Sequence, residues 1–555
     1  MEKSKIMKQI NVILKKSLLL IFLINTTTMS ILSPTKKTHT SDYVWHYPTL
    51  SGWSTECFKN LPECSSSKDS KTIVPFDEFS GTLQKILVTY KSKKELSINK
   101  NLWINNNSPD QSLYSLTNDE KQELKNIFQN KITINETLSN AETNEEINKH
   151  IEHLVAHESQ SIFVQKINIS SKDKYCIMGD IHASLHSLLR NLWNLVADGH
   201  LDDNFKIIDT NFTMIFLGDY INIATYGIEV LYTLMRLKLA NWNQVSFIRG
   251  NHEEVYAFAK NKDSHGISDL HLFRNELNDA FNDQQMKNST LFFNMIENMF
   301  IFFRHLPRAI FLSFKGEKNS NRCIQCSHAG FNPFYKTDQL LKEKNKFFEK
   351  IDTAATQEIN LKKFYGYQGF SQHALLSTYD KKNKKIAQID GFVLDIKRGN
   401  GFISDQQAQT NYMKNNNIVA LLCGHYHDFY GLKMLKNGDQ RPIHWKNVAS
   451  KKEQDVHEIP LHLYTNPIFT FSTACAAGYL PYDCYGILKT ASNYDDWKLN
   501  VHEVHVYKTD VKEKQDQYVS IDFAKNFQHN SLITTWSTKQ PKEPISKALL
   551  NKLTF

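Results

Sequence analysis

The sequence predicts an α/β fold built from βαβ units, and three observations carry that prediction. Five short apolar runs, Tyr175–Met178, Thr213–Leu217, Val245–Ile248, Cys323–Cys326 and Ile418–Cys423, have the length and composition of strands buried on both faces. Nearly every run is followed by a glycine or small residue and then by Asp, Asn or His. Apolar residues at helical spacing follow the first two: Leu185, Leu188, Leu189, Leu192 and Trp193, then Ile228, Leu231, Leu234 and Met235. Strand, loop, helix, strand is the order that produces parallel pairs with a crossover helix.

From the N-terminus, Lys3, Lys5, Lys8, Lys15 and Lys16 precede the apolar Leu18–Ile24. Basic then apolar is the order of a secretory signal peptide, and the run is short for a membrane span. No Ala-x-Ala site follows, only Thr26-Thr27-Thr28-Met29-Ser30. Residues 1–34 are read as a signal-like or membrane-anchor segment, with membrane contact through residues 10–24, against the alternative of a plain amphipathic arm. Export would bring Cys57 and Cys64 to an oxidising compartment, where the two can pair. Residues 35–165 read as a helical extension. Thr117 is an N-cap with Glu120 at the capping-box position, and Asn144–Ile151 continues into another helix. The motif-bearing domain spans 166–510, ending in the strand-like Trp497–Val506, and a polar tail occupies 511–555.

At 555 residues the chain can bury a large core. The net charge of +8 is spread along the sequence. A nucleic-acid interface would need a clustered basic patch, so none is expected; mild basicity suits anionic partners.

The polar residues at the five strand ends define the chemistry. They fall in Gly179-Asp180-Ile181-His182, Gly218-Asp219-Tyr220, Gly250-Asn251-His252-Glu253, Ser327-His328-Ala329-Gly330 and Gly424-His425-Tyr426-His427. In open α/β sheets, sites gather where the loops at carboxyl strand ends converge. Carboxylate, imidazole and amide oxygen suit Mn²⁺, Fe or Zn²⁺. Asp219 is the natural bridge between two such ions, with Asp180 and His182 on one and Asn251, His328 and His425 on the other. A water shared by two cations deprotonates near neutral pH, and the resulting hydroxide would attack phosphorus in line. His252, next to the amide ligand but pointing elsewhere, is the candidate acid for the leaving oxygen.

These motifs resemble the metallophosphoesterase superfamily, and within it the phosphoprotein phosphatase family. Phe303-Arg304-His305-Leu306-Pro307 is similar to the family's Phe-Asn-x-Leu-Pro, and Ser327–Pro333 to its His-Gly-Gly-Leu-Ser-Pro. Arg398-Gly399 resembles its second phosphate-binding Arg-Gly. The likeness runs over residues 165 to 505. It implies a four-layer α/β/β/α sandwich of two mixed sheets. It also implies a pair of divalent metal ions, Mn²⁺ foremost, and hydrolysis of phosphomonoesters on phosphoprotein substrates. Arg398 would bind the phosphate. Tyr479 would be an active-site tyrosine, with a packing role as the alternative, and His427 would join the first metal as in the wider superfamily.

The departures are specific. Where the family reads Gly-Asp-x-Val-Asp-Arg-Gly, this chain has Gly218-Asp219-Tyr220-Ile221-Asn222-Ile223-Ala224. The acidic partner of the catalytic histidine becomes Asn222, an amide that can accept a hydrogen bond without raising the imidazole's pKa. The first phosphate-clamping arginine becomes Ile223, which removes a bidentate donor; Arg398 would remain, and Arg304 or Arg308 could substitute from another direction. The stretch from His252 to His328 is longer than the family's and is expected to cap the site.

Plainer readings stand beside these. His186 is read as a packed or surface residue, and Cys323 and Cys326 as buried thiols rather than a zinc or redox pair. Two alternative functions remain open: a nucleotide or dinucleoside-polyphosphate hydrolase on the same scaffold, and a degenerate phosphatase that binds phosphorylated partners without turnover. The signal-like start and Lys/Asn-rich composition are similar to exported bacterial effector phosphatases, which would make host phosphoproteins the substrates.

Overall fold

The computed structural model describes residues 45–62, 72–92, 116–133, 163–254, 272–316, 320–333, 335–344, 347–351, 373–374, 388–389, 392–394, 402–404, 406–425, 432–436, 439–442, 454–463, 467–473 and 482–505. Arg398, His427 and Tyr479 lie outside them, as do Cys64, Asn144–Ile151, residues 1–34 and the 511–555 tail. Among the described residues no helix is long and apolar enough to cross a membrane.

Among the described residues three helices come first: α1 (Leu50–Asn60), α2 (Phe76–Ser92) and α3 (Asn118–Thr133). Then follow β1 (Phe163–Asn168), β2 (Lys174–Met178), α4 (Leu185–Ala197), β3 (Phe212–Phe216), α5 (Gly227–Ala240) and β4 (Val245–Phe247). Helices α6 (Phe273–Ala280), α7 (Asn282–Lys287) and α8 (Ser289–Arg304) lead to β5 (Ala309–Lys315), β6 (Asn321–Ser327), α9 (Asp338–Lys342) and β7 (Phe348–Lys350). Four short strands follow, β8 (His373–Ala374), β9 (Gln388–Ile389), β10 (Phe392–Leu394) and β11 (Phe402–Ser404). The chain continues through α10 (Gln406–Asn415), β12 (Ile418–Cys423), β13 (Leu432–Lys436) and β14 (Asp439–Pro442). It closes with β15 (Gln454–Pro460), β16 (Ile468–Phe471), β17 (Tyr482–Lys489) and β18 (Lys498–His505).

Among the described residues two mixed sheets organise these elements. One has eight strands in the order β14-β13-β16-β12-β6-β5-β1-β7, the other six in the order β15-β18-β17-β2-β3-β4. A small sheet holds β8-β11-β10-β9. The five strands read from the sequence are β2, β3 and β4, mutually parallel in one sheet, and β6 and β12, parallel in the other. Side-chain alternation explains why both faces of these strands are apolar. Ile310, Leu312, Ile324 and Cys326 join Ile177, Ile215 and Val501 in a single core shared by the two sheets. Ala309, Phe311 and Cys323 point the other way and pack with Leu340, Leu341, Ala408, Tyr412 and Met413 of α9 and α10. The two cysteines of the Cys-x-x-Cys thus face opposite sides of β6 and cannot share a metal or a disulfide. Cys57 is a buried thiol in α1.

The N-terminal helices are fastened to α4, α5 and α8 by buried polar contacts. Trp53 Nε1 donates to Thr233 Oγ1 (2.8 Å), Trp193 Nε1 to Ser54 Oγ (2.9 Å), and the Tyr232 hydroxyl to Glu78. The capping box forms as the sequence suggests: Thr117 N donates to Glu120 Oε2 (2.7 Å) and Glu120 N to Thr117 Oγ1 (3.2 Å). The same Glu120 accepts from Arg304 at the end of α8. His186 is packed in α4, with Nε2 2.8 Å from the carbonyl of Leu61 and its ring between Phe58 and Tyr226.

Candidate active site

Every one of the five strand ends reaches the same crevice, and backbone hydrogen bonds lock the loops together. The N–H groups of Ile181 and His182 donate to Asp219 O (3.0 and 2.8 Å), Gly424 N to His328 O (2.7 Å), and Thr473 N to Asp180 O (2.7 Å). The turns are tight enough to force uncommon backbone. His182, Ala183, Asp219, Asn222, Ile223 and His425 all have φ between 46° and 78°. For a β-branched residue such as Ile223 that conformation is strained, and strain of this kind gathers at functional sites.

The side chains converge on Asp219, which is buried. Its Oδ2 lies 3.1 Å from His328 Nε2, 3.5 Å from His182 Nε2 and 4.0 Å from His252 Nε2. Asn251 Oδ1 is 2.8 Å from His328 Nε2 and 2.9 Å from His425 Nδ1. The Asp180 carboxylate accepts the backbone N–H of His425 (2.8 Å) and stands 3.9 Å from His182 Nε2 and 3.6 Å from His328 Nδ1. Two ligand-type groups result: His182, Asp219 and His252, and Asp219, His328 and His425, each with its ligand atoms within 4.8 Å of one another. Asp219 belongs to both.

This donor set fits divalent cations. The His328 Nδ1 lies 3.0 Å from Leu217 O, so a proton is held there and Nε2 is the nitrogen that would face a cation. His182 repeats the pattern more loosely, with Nδ1 3.4 Å from Ile221 O. Outer carbonyls of this kind orient metal-binding imidazoles. Burial alone would push the Asp219 carboxyl up, but His328, His252 and His182 hold it well below the usual carboxylate range. Burial would lower His328, yet Asp219 and Asp180 raise it to about 9. Crowded carboxylates and imidazoles that must share positive charge are what a cation would satisfy.

Glu253, inside the third motif but given no role from sequence, positions the loops. Its two oxygens accept the N–H groups of Asp219 (2.9 Å), Tyr220 (2.7 Å) and Gly250 (2.9 Å). A buried acid beside ligand-type residues was the available signal.

Two expectations need correction. Arg304 and Arg308 are engaged by buried carboxylates rather than held ready as substitute phosphate clamps. Arg304 is paired with Glu120, and Arg308 is paired through both terminal nitrogens with Glu254, because burying either guanidinium requires a carboxylate partner. Asn222 does contact His252, but in the opposite sense from the one expected. Its Oδ1 accepts the N–H of Phe273 (2.7 Å), which turns Nδ2 toward His252 Nδ1 at 2.9 Å. The amide donates to the ring.

A family model described as calcineurin-like phosphoesterase matches residues 174–429. The serine/threonine-protein phosphatase SIT4 of Candida albicans is 38% identical over 87 residues, 15% of this chain and 26% of that protein. The serine/threonine-protein phosphatase 2B catalytic subunit A1 of Saccharomyces cerevisiae is 23% identical over 261 residues, 47% of this chain and 39% of that protein. The chain thus spans about a quarter to two fifths of the length of these relatives. A Saccharomyces cerevisiae protein serine/threonine phosphatase with similarity to human PP5 superposes with a TM-score of 0.36 at 14% identity, over 70% of this chain and 98% of that one. A cold-active protein-tyrosine phosphatase of Shewanella gives 0.34 at 11%, over 62% and 84%. Residues 174–429 are thus similar to the calcineurin-like phosphoesterases, and the curated relatives matched are serine/threonine-protein phosphatases.

Proposed function

We propose that the protein is a metal-dependent phosphatase that hydrolyses phosphomonoesters on phosphoproteins. The observation that carries this reading is the pair of ligand-type groups sharing the buried Asp219. Asp180 and His182 would hold one ion and Asn251, His328 and His425 the other, with Asp219 between them. When bound, the ions supply Lewis acidity: they neutralise phosphoryl charge and make water a better nucleophile. Asp219 and Asp180 bring the negative charge that retains the cations, and the carbonyls of Leu217 and Ile221 orient the imidazoles. His252, partly exposed at the edge of the cluster, would protonate the leaving oxygen.

The relatives, being serine/threonine-protein phosphatases, favour phosphoprotein over nucleotide substrates. Mn²⁺ as the working ion, export of the chain and host phosphoproteins as substrates belong to the same proposal and draw on the sequence alone. The test uses purified protein with Mn²⁺, Fe²⁺ or Zn²⁺ on phosphopeptides, dinucleoside polyphosphates and an aryl phosphate, beside Asp219→Asn. Metal-dependent release of phosphate from phosphopeptides, abolished in the variant, is the expected result. Preference for the dinucleotides would select the nucleotide hydrolase, and binding without turnover the degenerate phosphatase.

A further inference from the structure

We propose that Glu276 is a positioning residue of the catalytic centre: its carboxylate ties helix α6 to the start of α5, α6 holds the 222–226 turn, and the turn holds the His252 ring in place. This rests on the phosphatase reading above and adds a residue outside the cation cluster to the working apparatus.

The turn needs support from outside itself. Asn222 and Ile223 stand at φ 66° and 78°, where residues other than glycine are uncommon and a β-branched one is strained. Backbone bonds secure its later part: Ala224 N donates to His182 O (3.1 Å) and Tyr226 N to Ala183 O (3.3 Å). Its first residue is secured by a side chain. Asn222 Oδ1 accepts from the N–H of Phe273, the first residue of α6, at 2.7 Å. The Nδ2 of the same amide stands 2.9 Å from His252 Nδ1. Where α6 lies therefore sets where the amide points and what the ring rests on.

Glu276 fixes where α6 lies. It stands three residues after Phe273, and its two oxygens accept the N–H groups of Gly227 (Oε2, 3.1 Å) and Ile228 (Oε1, 2.8 Å), the first two residues of α5. A helix start leaves such groups without partners in its own helix. Tyr226, the N-cap residue of α5, supplies no side-chain cap, so α6 supplies one instead. Gly227 completes the fit. A Cβ there would lie 2.7 Å from Phe273 Cδ2 and 2.9 Å from Glu276 Oε2, so any larger residue would push α6 away. At the far end of α6, Phe281 packs on Phe76 and Phe79 of α2, with ring centroids 5.3 and 6.0 Å apart. The N-terminal helices thus back the element that holds the turn.

Glu229 provides the internal comparison. It lies in the first turn of the same helix and is more deeply buried than Glu276, and its Oε1 accepts from Thr72 Oγ1 (2.6 Å) and Ile73 N (3.1 Å). It fastens the N-terminal segment to α5 and makes no bond to α6 or to the turn among those at its carboxylate oxygen Oε1. Loss of Glu229 reports what loosening the helix start does by itself; loss of Glu276 adds the displacement of α6. A misplacement of about 1 Å at a reacting group can cost roughly 10²-fold in rate. The ring acts in the chemical step, so the loss falls on kcat and not on KM.

The experiment measures kcat and KM of the full Mn²⁺-loaded chain on a phosphopeptide, per mole of bound metal, for wild type, Glu276→Gln, Gly227→Ala and Glu229→Gln. Glu276→Gln sets an NH₂ against one of the two N–H groups, and Gly227→Ala moves α6 with the carboxylate intact. Both should lower kcat at least about tenfold with KM within about twofold and metal content unchanged. Glu229→Gln should keep the wild-type kcat. Wild-type kcat in Glu276→Gln, or an equal loss in Glu229→Gln, overturns the proposal; if Glu276→Gln does not fold, Gly227→Ala decides by the same criterion. A second readout needs no turnover: hydrogen exchange of the metal-free chain, followed by mass spectrometry. Peptides spanning 222–228 should exchange faster in Glu276→Gln than in wild type, and unchanged exchange there overturns the tether. No metal-dependent turnover by wild type overturns the phosphatase reading and the positioning role with it, whereas wild-type turnover that survives in Glu276→Gln overturns the positioning role alone.

Discussion

The Glu253 carboxylate receives the backbone N–H of Asp219 at 2.9 Å, and this one contact ties the centre of the cation cluster to the neighbouring strand end. Asp219 sits at φ 55°, a conformation its own backbone does not favour. Glu253 holds it there while also taking Tyr220 N and Gly250 N. Glu253→Gln replaces one acceptor oxygen with an NH₂, so at least one buried N–H loses its partner. The expected cost is about 1–3 kcal/mol of stability, with metal affinity down about 10–100-fold. Thermal melts and metal titration of the variant check both; an unchanged metal affinity would remove Glu253 from the site.

Gly424 is glycine because nothing larger fits beside Asp180. A Cβ there would lie 2.2 Å from Asp180 Oδ1. Gly424→Ala should displace the carboxylate from the His425 N–H and weaken cation binding at least tenfold, with far-UV circular dichroism preserved. Calorimetric titration with Mn²⁺ reads the change.

The ion pair between Glu120 and Arg304 joins the N-terminal helices to the end of α8, with side chains only 4% and 8% exposed. Glu120→Ala removes this partner and the capping box together and leaves a buried guanidinium uncompensated. Such losses cost about 3–5 kcal/mol. Urea denaturation should show it, and Glu120→Gln, which keeps a hydrogen-bond acceptor, should lose less.

Acid sensitivity has a definite source away from the cluster. His502 stacks on Tyr485, its cross-strand partner, at 4.5 Å. Burial, with Lys489 and His200 nearby, lowers it to about 4. In the unfolded chain it ionises near ~6.5, so between these values the unfolded state binds more protons and stability falls as pH drops. The full effect is of order 3 kcal/mol. It is absent above about pH 6.5 and complete near about pH 4. His502→Phe keeps the stack and should flatten stability over that window; a variant with the wild-type slope would assign the sensitivity elsewhere.

The convergence of ligand-type residues could be read from sequence because each strand end combines an apolar run, a small residue and a polar one, a local pattern. What escaped depends on distant partners. The direction of the Asn222 amide is set by Phe273, and the work of Glu253 by N–H groups from two separate loops. Arg304 and Arg308 looked available as cations, yet each is consumed by a glutamate brought near only by folding. Strands β8 to β11 have two or three residues each and no periodicity to detect. Lys166 hides β1 in the same way: its buried Nζ donates to the carbonyl of Leu340, which the sequence cannot reveal.

The most direct measurement is the metal content of the purified, Mn²⁺-loaded and desalted protein by inductively coupled plasma mass spectrometry, beside Asp219→Asn. The wild-type chain should hold a pair of divalent ions and lose both when the shared carboxylate is neutralised. Wild-type protein that retains no metal, or a variant that retains as much as wild type, would contradict this.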